Sequence, residues 1–416
     1  MTFTWIFLLA LVLSSTLRAW LALRQIRHVA THQIVVPDAF VGKISLDDHR
    51  KAATYTIAKT RLSLFQLAVE IAALLALTLG GALQWLDQYW RGMFDTPLTQ
   101  GIALIASVIA LLSVVEIPLN LYRTFVIEAR FGFNRMTPAM YAIDFLKQIL
   151  LAVMLGLPLV FCVLWLMRQM GDAWWFYVWL VWMGFNLLVL ALYPTLIAPL
   201  FNKFVPLQDE ALRERIEQLL AKCGFQAKGL FVMDGSRRSS HGNAYFTGFG
   251  KTRRIVFFDT LIARLEPAEV EAVLAHELGH FKLHHVIKRV AWTFAASLAL
   301  LWLLGHLGKQ PWFYQSLNVA TPSTAMALVL FFLVLPVFTF PLQPLLSLYS
   351  RKHEFEADRY AAAHASADDL VQALVKLYQD NAATLTPDTL HSVFYDSHPP
   401  ASARIAHLQK LAHTVR

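Results

Sequence analysis

Seven long apolar stretches divide this chain, and each is long enough to cross a membrane as a helix. A bilayer's hydrocarbon core is spanned by about 20 consecutive apolar residues. The stretches lie at about residues 2–23, 63–84, 102–122, 146–167, 174–198, 290–308 and 325–349. Charged residues make up only 15% of the chain, compared with about 25% of a typical soluble protein. We therefore predict a mainly α-helical, polytopic membrane protein with seven transmembrane helices.

Basic residues are distributed unevenly between these stretches. The segments after the first, third, fifth and seventh stretches are rich in Lys and Arg, and residues 199–289 alone contain fourteen. The other segments are poor in them, and residues 169–173 contain none. Because short cytoplasmic segments carry the excess of basic residues, the N-terminus is predicted to lie outside and the C-terminus in the cytoplasm. The net charge of +8 is not gathered in one block, so we expect no nucleic-acid partner.

Residues 201–289 have the pattern of a polar segment with helices and strands. The sequence DEALRERIEQLLAKCGF is typical of an amphipathic helix. GLFVMDG, NAYFTGFG and TRRIVFFDTL are typical of three short strands. EPAEVEAVLAHELGHFKLHHVIKRV then predicts one long helix, with Pro267 in its first turn. We expect a small β-sheet in this segment.

The long helix contains the spacing H-E-x-x-H at His276, Glu277 and His280. Residues four apart lie on one helical face, so the two imidazoles can bind one zinc ion while Glu277 reaches a water beside it. Zinc lowers the pKa of such a water from about 15.7 towards 7, and a carboxylate can take its proton as it attacks a carbonyl. Random placement would give about 0.02 such motifs in a chain of this composition. The motif indicates zinc-dependent peptide hydrolysis, with surface histidines on an ordinary helix as the alternative.

A third protein ligand is needed, because catalytic zinc takes three protein ligands and leaves one position for water. The segment SRKHEFEADRYAAAH follows the seventh stretch and contains Glu354 and Asp358, which share one helical face. Glu354 can complete a His, His, Glu set. Asp358 can orient a ligand by accepting a hydrogen bond from a histidine ring. Glu356 is expected to point elsewhere on the helix.

His284 is a rival for the third ligand, because it lies four residues past His280. On a continuous helix, however, His276 and His284 would be about 12 Å apart along the axis, which is too far for one tetrahedral ion. His285 is expected at a helix end or beside a ligand.

Several blocks besides the zinc motif resemble those of one known family, in the same order. They are IEARFGFNRMTPAMYAIDFLK, YPTLIAPLFNKFVPL, DGSRRSSHGNAYFTGFGKTRRIVFFDTL, AHELGHFKLHH, SRKHEFEADRYA and SHPPASARI. They are similar to blocks of the type I CAAX prenyl endopeptidases, which are integral membrane zinc metallopeptidases. The resemblance runs from about the second span to near the C-terminus. It implies seven helices around a water-filled intramembrane chamber, with the metal near its cytoplasmic end. The family usually has glycine where His284 stands.

The resemblance also implies a role for each residue of the predicted centre. One zinc ion would be held by His276, His280 and Glu354, with Glu277 as the general base. Asp358 would support a ligand or handle a proton, and a structural ion pair is the plain alternative.

Four further residues receive roles from the resemblance. His398, in the SHPP block, would stabilise the oxyanion, although a surface histidine in a turn is the alternative. Arg404 would brace the site. Asn243 and Ala244 would lie on an edge strand that pairs with an extended peptide substrate, and ordinary sheet is the alternative.

The chain is thus expected to have four parts. Residues 1–200 would form five spans with cytoplasmic loops, and residues 201–289 the metallopeptidase segment with the H-E-x-x-H helix. Residues 290–350 would form spans six and seven, and residues 351–416 would complete the zinc site.

The resulting hypothesis is a membrane-embedded zinc metalloendopeptidase that cleaves near the C-terminus of prenylated CAAX polypeptides or other membrane-associated polypeptides, in contact with lipid. Its membrane would be the inner membrane in a bacterium and the endoplasmic reticulum in a eukaryote. One alternative is a heat-shock membrane metalloprotease of quality control, a class that usually has fewer spans. Another is a transporter or scaffold with structural zinc, although a structural site is normally closed by four protein ligands and has no need of Glu277.

Overall fold

The structure is a computed structural model and describes residues 2–226, 229–247 and 254–415. Within these residues, seven helical segments are long and apolar enough to cross a membrane. They are Thr2–His32, Leu46–Leu77, Pro97–Phe131, Pro138–Gln169, Gly171–Phe201, His285–Leu307 and Thr324–His364. The seven predicted spans are confirmed, and most of the helices continue past the apolar stretch into more polar sequence.

The helices and strands are numbered separately along the chain. They are α1 (Thr2–His32), α2 (Leu46–Leu77), α3 (Ala82–Met93), α4 (Pro97–Tyr122), α5 (Ala129–Phe131), α6 (Pro138–Gln169), α7 (Trp174–Leu192), α8 (Ala198–Phe201), β1 (Phe204–Pro206), α9 (Glu210–Lys222), β2 (Leu230–Met233), β3 (Ala244–Thr247), β4 (Arg254–Phe258), α10 (Asp259–Ile262), α11 (Pro267–Lys282), α12 (His285–Leu307), α13 (Pro311–Gln315), α14 (Thr324–Thr339), α15 (Gln343–His364), α16 (Ala367–Asp380), α17 (Thr389–Tyr395) and α18 (Ala401–Val415). Two π-helical turns, Arg123–Glu128 and Tyr193–Ile197, join α4 to α5 and α7 to α8. Short 3₁₀ turns occur at Asp38–Phe40, Gly171–Ala173, Gly235–Arg237 and Phe340–Leu342.

The second span differs from its prediction at both ends. The apolar stretch at 63–84 lies in two helices, because α2 ends at Leu77 and α3 begins at Ala82. Gly81 between them has φ of +78°, a conformation that glycine adopts without steric cost. At its other end α2 begins at Leu46, within sequence too polar for the apolar stretch to reveal.

The membrane helices pack most closely at one end of the bundle. Buried side chains there come from the starts of α1, α4, α7 and α14 and from the ends of α2, α6 and α12. They include Phe7, Leu77, Leu104, Leu164, Trp174, Leu304 and Met326. Since successive spans run in opposite directions, all these positions lie on the same side of the membrane. This apolar cluster closes the bundle on the side away from the zinc motif.

Away from that end the helices bury little surface. Span five buries no residue of its most apolar window and span four buries 11%, whereas span seven buries 50%. A span that packs against its neighbours along its whole length would cover one face. The apolar side chains that these spans leave exposed are suited to contact with lipid.

A four-stranded mixed sheet lies in the polar segment, with the order β1-β2-β4-β3. The three predicted strands are confirmed within the described residues. The structure adds β1, which pairs antiparallel with β2 and is only three residues long, too short for an alternating pattern. β3 pairs antiparallel with β4, with Ala244 opposite Phe257. Among the described residues β3 is therefore an edge strand.

The single long helix predicted after Glu266 is wrong, because the structure has two helices there. α11 ends at Lys282 and α12, which is span six, begins at His285. His284 stands between them with φ of +59°, in the left-handed region that few residues other than glycine adopt routinely. The rival stripe of three histidines therefore fails, since His284 does not continue the helix and its side chain is exposed.

Candidate active site

The predicted zinc ligands come from two helices that pack closely at Gly279. α11 carries His276 and His280, and α15 carries Glu354. A Cβ atom at Gly279 would lie 3.0 Å from the Cα atom of Ala357 in α15. Glycine at this position lets the helices approach closely enough for the two imidazoles to face the carboxylate.

The three side chains form a compact triangle, in which each imidazole Nε2 atom faces a different oxygen of Glu354. The Nε2 atoms of His276 and His280 are 3.2 Å apart. Oε2 of Glu354 is 3.4 Å from Nε2 of His276, and Oε1 is 3.3 Å from Nε2 of His280. Zinc bonds of about 2.0–2.1 Å at tetrahedral angles place neighbouring ligand atoms about 3.3–3.4 Å apart. The residues therefore fit a tetrahedral metal ion.

The burial of Glu354 also supports a metal ion at the triangle. Glu354 is only 4% exposed, and within the described residues its Oε2 atom has no hydrogen-bond partner. Buried polar atoms are nearly always paired, and a metal ion would satisfy this one. The two Nε2 atoms can both coordinate one cation through their lone pairs. Without a cation, two unprotonated nitrogens this close have no attraction for each other.

Glu277 follows His276 on α11 and is half-buried, between the fully buried residues Ala275 and Leu278. A carboxylate that is next to a ligand and still accessible can exchange protons with water. Its place on the helix is the one that the general-base role requires.

Asp358 and Arg404 form a buried pair behind His276. Nδ1 of His276 lies 2.9 Å from Oδ1 of Asp358, so the ring donates to the carboxylate and keeps the Nε2 lone pair for the triangle. Nε of Arg404 donates to Oδ2 of Asp358 at 2.9 Å, and Nη2 donates to Oδ1. Nη1 of Arg404 lies 3.5 Å from Oε2 of Glu354. Arg404 thus joins both carboxylates of α15 to α18.

The pKa values of His276 and Arg404 are both shifted by burial and by the charges around them. Burial and the charge of Arg404 lower the pKa of His276, but hydrogen bonds to Asp358 and Glu354 raise it by more, so that the pKa of His276 lies above its ordinary value. Burial also lowers the pKa of Arg404, and the carboxylates raise it above the usual value. Before metal binds, a proton on His276 therefore competes for the site.

His398 lies at the open side of the triangle. Its Nε2 atom is 3.4 Å from Oε1 of Glu354, and its side chain is 62% exposed. The hydroxyl of Ser397 contacts Nδ1 at 3.0 Å. The pKa of His398 is lowered, mainly by desolvation, so the ring is neutral at pH 7. If Ser397 donates to Nδ1, the ring carries its proton on Nε2 and directs a hydrogen-bond donor toward the site.

The predicted edge strand has outward-facing backbone groups at Ala244. The N–H of Phe258 donates to the carbonyl of Asn243 at 2.9 Å, and residues alternate in an antiparallel ladder. Ala244 therefore turns its N–H and C=O away from β4. The side chain of Asn243 accepts a hydrogen bond from that N–H at 2.8 Å, which leaves the carbonyl to face the open edge.

Sequence reasoning missed the residues that hold this strand in place. His241 lies two residues before Asn243, and its Nδ1 atom is 3.0 Å from Oδ1 of Asn381. The His241 ring stacks on Phe133 at 4.6 Å, and its Nε2 atom is 3.6 Å from Glu128 of the first π-helical turn. A lone histidine and a π turn have no recognisable spacing, so the sequence carried no signal for this anchor.

A helical membrane bundle with a His, His, Glu triangle and an adjacent carboxylate defines the class of integral membrane metallopeptidases. Two family models match the chain. "CAAX prenyl protease N-terminal, five membrane helices" matches residues 25–203, and "Peptidase family M48" matches residues 206–412.

Relatives extend this agreement over nearly the whole chain. The CAAX prenyl protease 1 homolog of Arabidopsis thaliana is 36% identical over 405 residues, which cover 93% of this chain and 92% of the relative. The human CAAX prenyl protease 1 homolog is 30% identical, covering 98% and 96%. The crystal structure of S. mikatae Ste24p superimposes with a TM-score of 0.91 at 28% identity, covering 97% of this chain and 98% of that one. The chain belongs to the CAAX prenyl protease 1 group of peptidase family M48 and is a multi-pass membrane metalloendopeptidase. The heat-shock alternative and the transporter or scaffold alternative are not favoured.

Proposed function

We propose that this peptidase uses one zinc ion, bound by His276, His280 and Glu354, to cleave prenylated C-a-a-X polypeptides at the cytoplasmic side of its membrane. The observation that carries the proposal is the triangle of His276, His280 and Glu354. Their Nε2 atoms lie 3.2 Å apart, and each lies 3.4 or 3.3 Å from one oxygen of Glu354, as neighbouring ligands of one zinc ion would. The membrane would be the bacterial inner membrane or, in a eukaryote, the endoplasmic reticulum.

A zinc ion in the triangle would supply Lewis acidity, which polarises the scissile carbonyl and makes water acidic near neutral pH. Glu277 accepts a proton from the attacking water and delivers it to the amine that leaves. Asp358 accepts the Nδ1 proton of His276 and fixes the tautomer of that ligand. Arg404 offsets the charge of Asp358 and holds it in position.

His398 directs its Nε2–H toward the substrate oxygen that gains negative charge as the carbonyl is attacked. A neutral donor that is already oriented loses little energy on reorganisation, so it stabilises the transition state more than the ground state. The two prolines after His398 in the sequence restrict the backbone and support this orientation.

Substrate pairs as an added strand along β3. The carbonyl of Ala244 faces the open edge and can accept a hydrogen bond from an extended peptide. For the N–H of Ala244 to donate in turn, the side chain of Asn243 must release it, so Asn243 becomes a second group available to the peptide. This arrangement suits a substrate that is recognised through its backbone.

A prenylated C-terminus is the proposed substrate because of the relatives and the hydrophobic spans. The curated relatives are named CAAX prenyl protease 1, and a C-a-a-X motif carries its lipid on the cysteine. The spans leave many apolar side chains exposed, which suits contact with membrane lipid and with the apolar chain of such a substrate. The basic loops around 199–289 support a cytoplasmic position of the site.

The test compares a farnesylated C-a-a-X peptide with the same peptide unmodified, using purified protein with and without a chelator. We expect zinc-dependent cleavage of the farnesylated peptide. E277Q should reduce kcat about 10²- to 10⁴-fold while retaining zinc. E271Q is the matched control, because Glu271 lies on the same helix and pairs with Arg215 away from the triangle.

Two results would contradict parts of this proposal. Equal cleavage of both peptides would remove the requirement for a prenyl group and leave a general membrane peptidase. Full activity of E277Q would remove Glu277 as the base, whatever the substrate.

A further inference from the structure

The second nitrogen of His280 contacts another histidine. Nδ1 of His280 lies 3.0 Å from Nδ1 of His285. Nε2 of His285 in turn lies 3.0 Å from Oε2 of Glu356. His285 is only 4% exposed, so both of its ring nitrogens are committed to these two contacts. His276 is supported by a carboxylate directly, whereas His280 reaches a carboxylate through a second imidazole.

Proton positions along this chain follow from the metal triangle. His280 presents Nε2 to the triangle, so its ring proton lies on Nδ1. That proton is donated to Nδ1 of His285, which must be the unprotonated nitrogen of its ring. The proton of His285 then lies on Nε2 and is donated to Glu356. A carboxylate cannot donate at neutral pH, so the direction of both hydrogen bonds is determined.

We infer that His285 and Glu356 are positioning residues, which hold His280 in the tautomer and ring orientation that bind the catalytic metal. The inference rests on the proposed metal site and goes beyond it, since neither residue contributes a ligand atom to the triangle. Groups that support a metal-binding histidine in this way typically contribute about 10- to 100-fold in metal affinity or activity.

The break between α11 and α12 brings His285 into position. His284 has φ of +59°, which breaks the helix after α11, and His285 then contacts His280. A non-glycine residue in this region is strained, and the contacts that it permits offset the strain. His353 of α15 stacks on the His285 ring, with centroids 4.0 Å apart and planes 7° from parallel, and so fixes the ring plane.

A second metal site is the competing reading, because His285, His353 and Glu356 offer three ligand atoms within 4.8 Å of one another. A metal ion lies close to the plane of each imidazole that binds it. Two stacked rings have parallel and separate planes, so no single ion can lie in both. The stacking therefore excludes a shared ion in this conformation and leaves the hydrogen-bonded chain.

The experiment measures zinc affinity by chelator competition in H285F, H285N, E356Q and H284G, with melting temperatures of the metal-free proteins. H285F keeps an aromatic ring for stacking on His353 but removes both hydrogen bonds, so zinc should bind about 10- to 100-fold more weakly. H285N places an amide oxygen near the former Nδ1 position and should restore much of that loss. E356Q keeps an uncharged acceptor and should cause a smaller loss than H285F.

H284G is the matched control, because it removes the neighbouring histidine and puts the residue that suits φ of +59° in its place. Its zinc affinity should equal that of the wild type. Cobalt-substituted H285F should also show shifted ligand-field absorption bands, and it should lose kcat with little change in KM. A purely structural role would lower the melting temperature without changing the cobalt spectrum.

Two outcomes would overturn the inference. One is an H285F variant that melts like the wild type and binds zinc within twofold as tightly. Another is a second zinc ion per wild-type chain that is lost in H285F, which would assign the cluster as a metal site. If the wild type itself binds no zinc, the proposed function fails first, and the result for H285F is then distinguishable from a failure of this inference alone.

Discussion

Replacing Gly279 by alanine tests whether the close packing of α11 and α15 determines the metal site. Gly279 lies between His276 and His280, and the added Cβ would be 3.0 Å from the Cα atom of Ala357, 3.2 Å from its carbonyl oxygen and 3.0 Å from the Cβ atom of Tyr360. Two of these three atoms belong to the backbone, so no side-chain rotation relieves the contact. The helices must move apart.

The size of the effect follows from these distances. Ordinary carbon–carbon contacts begin near 3.4 Å, so the helices separate by about 0.4 Å, beyond the tolerance of about 0.2 Å for metal–ligand distances. Overpacking of this kind costs about 1–3 kcal/mol. In the metal-free protein the helices can move apart and relieve this strain. Metal binding must bring them together again at the same cost in free energy, so zinc affinity should fall about 5- to 150-fold. The better helix propensity of alanine offsets about 0.5–1 kcal/mol of the loss in stability.

Zinc affinity of G279A is measured by chelator competition, together with peptide cleavage at saturating zinc. The matched control is G156A, since a Cβ at Gly156 in α6 would meet nothing within 4 Å. G156A should bind zinc as the wild type does. Wild-type affinity in G279A would refute the reasoning, because the two helices would then not need their present separation to form the triangle.

Three further predictions concern buried charged groups. R404M should destabilise the protein by up to about 3–5 kcal/mol, because among the described residues it leaves the buried Asp358 with only the ring of His276 as a partner, and R404K should lose less; thermal unfolding in detergent measures this, and unchanged melting of R404M would contradict it. Burial raises the pKa of Asp388, but the hydrogen bond and charge of Arg24 lower that pKa by more, so it lies below its usual value. The ionised Asp388 therefore contributes stability above the unfolded pKa of about 3.9, and this contribution is lost as pH falls through the folded pKa. The melting-temperature difference between wild type and D388N should therefore stay constant from pH 7 to about pH 5 and narrow as pH falls below about 4, and a difference that stays constant below about pH 4 would argue against the pair of Asp388 and Arg24. The pKa of His276 is raised in the metal-free protein, so the stability that its protonated ring contributes is fully present below about pH 6.5 and is lost as pH rises through the folded pKa. Zinc binding requires the neutral ring. The increase in melting temperature on adding zinc should therefore be larger at pH 8 than at pH 6.

The ligand set could be predicted from sequence because its chemistry depends on local spacing. His276 and His280 are four residues apart on one helix, and Glu354 with Asp358 repeats that spacing on another. Each pair shares a helical face whatever the rest of the fold does. The structure brings the two pairs together, with Asp358 behind His276 as the spacing suggested.

The errors lie where the backbone departs from a regular helix. His284 adopts positive φ, which is uncommon for histidine, so the helical pattern through it gave no sign of a break. Glu356 lies outside the triangle, as expected, and the break at His284 hid its contact of 3.0 Å with His285. A short strand such as β1 and the break at Gly81 were missed for the same reason, since periodicity needs several regular residues.

The fold gives the membrane spans a direct part in the chemistry. Glu354 reaches the histidines of α11 only after the chain has crossed the membrane twice, through α12 and α14, and returned in α15. α15 packs directly against α11, with Gly279 at their contact, while the apolar cluster at the far end of the bundle holds the start of α14 and the end of α12 together. Spans six and seven therefore carry Glu354 back to the face of α11, and the direct contact between α11 and α15 then sets the separation of the two helices.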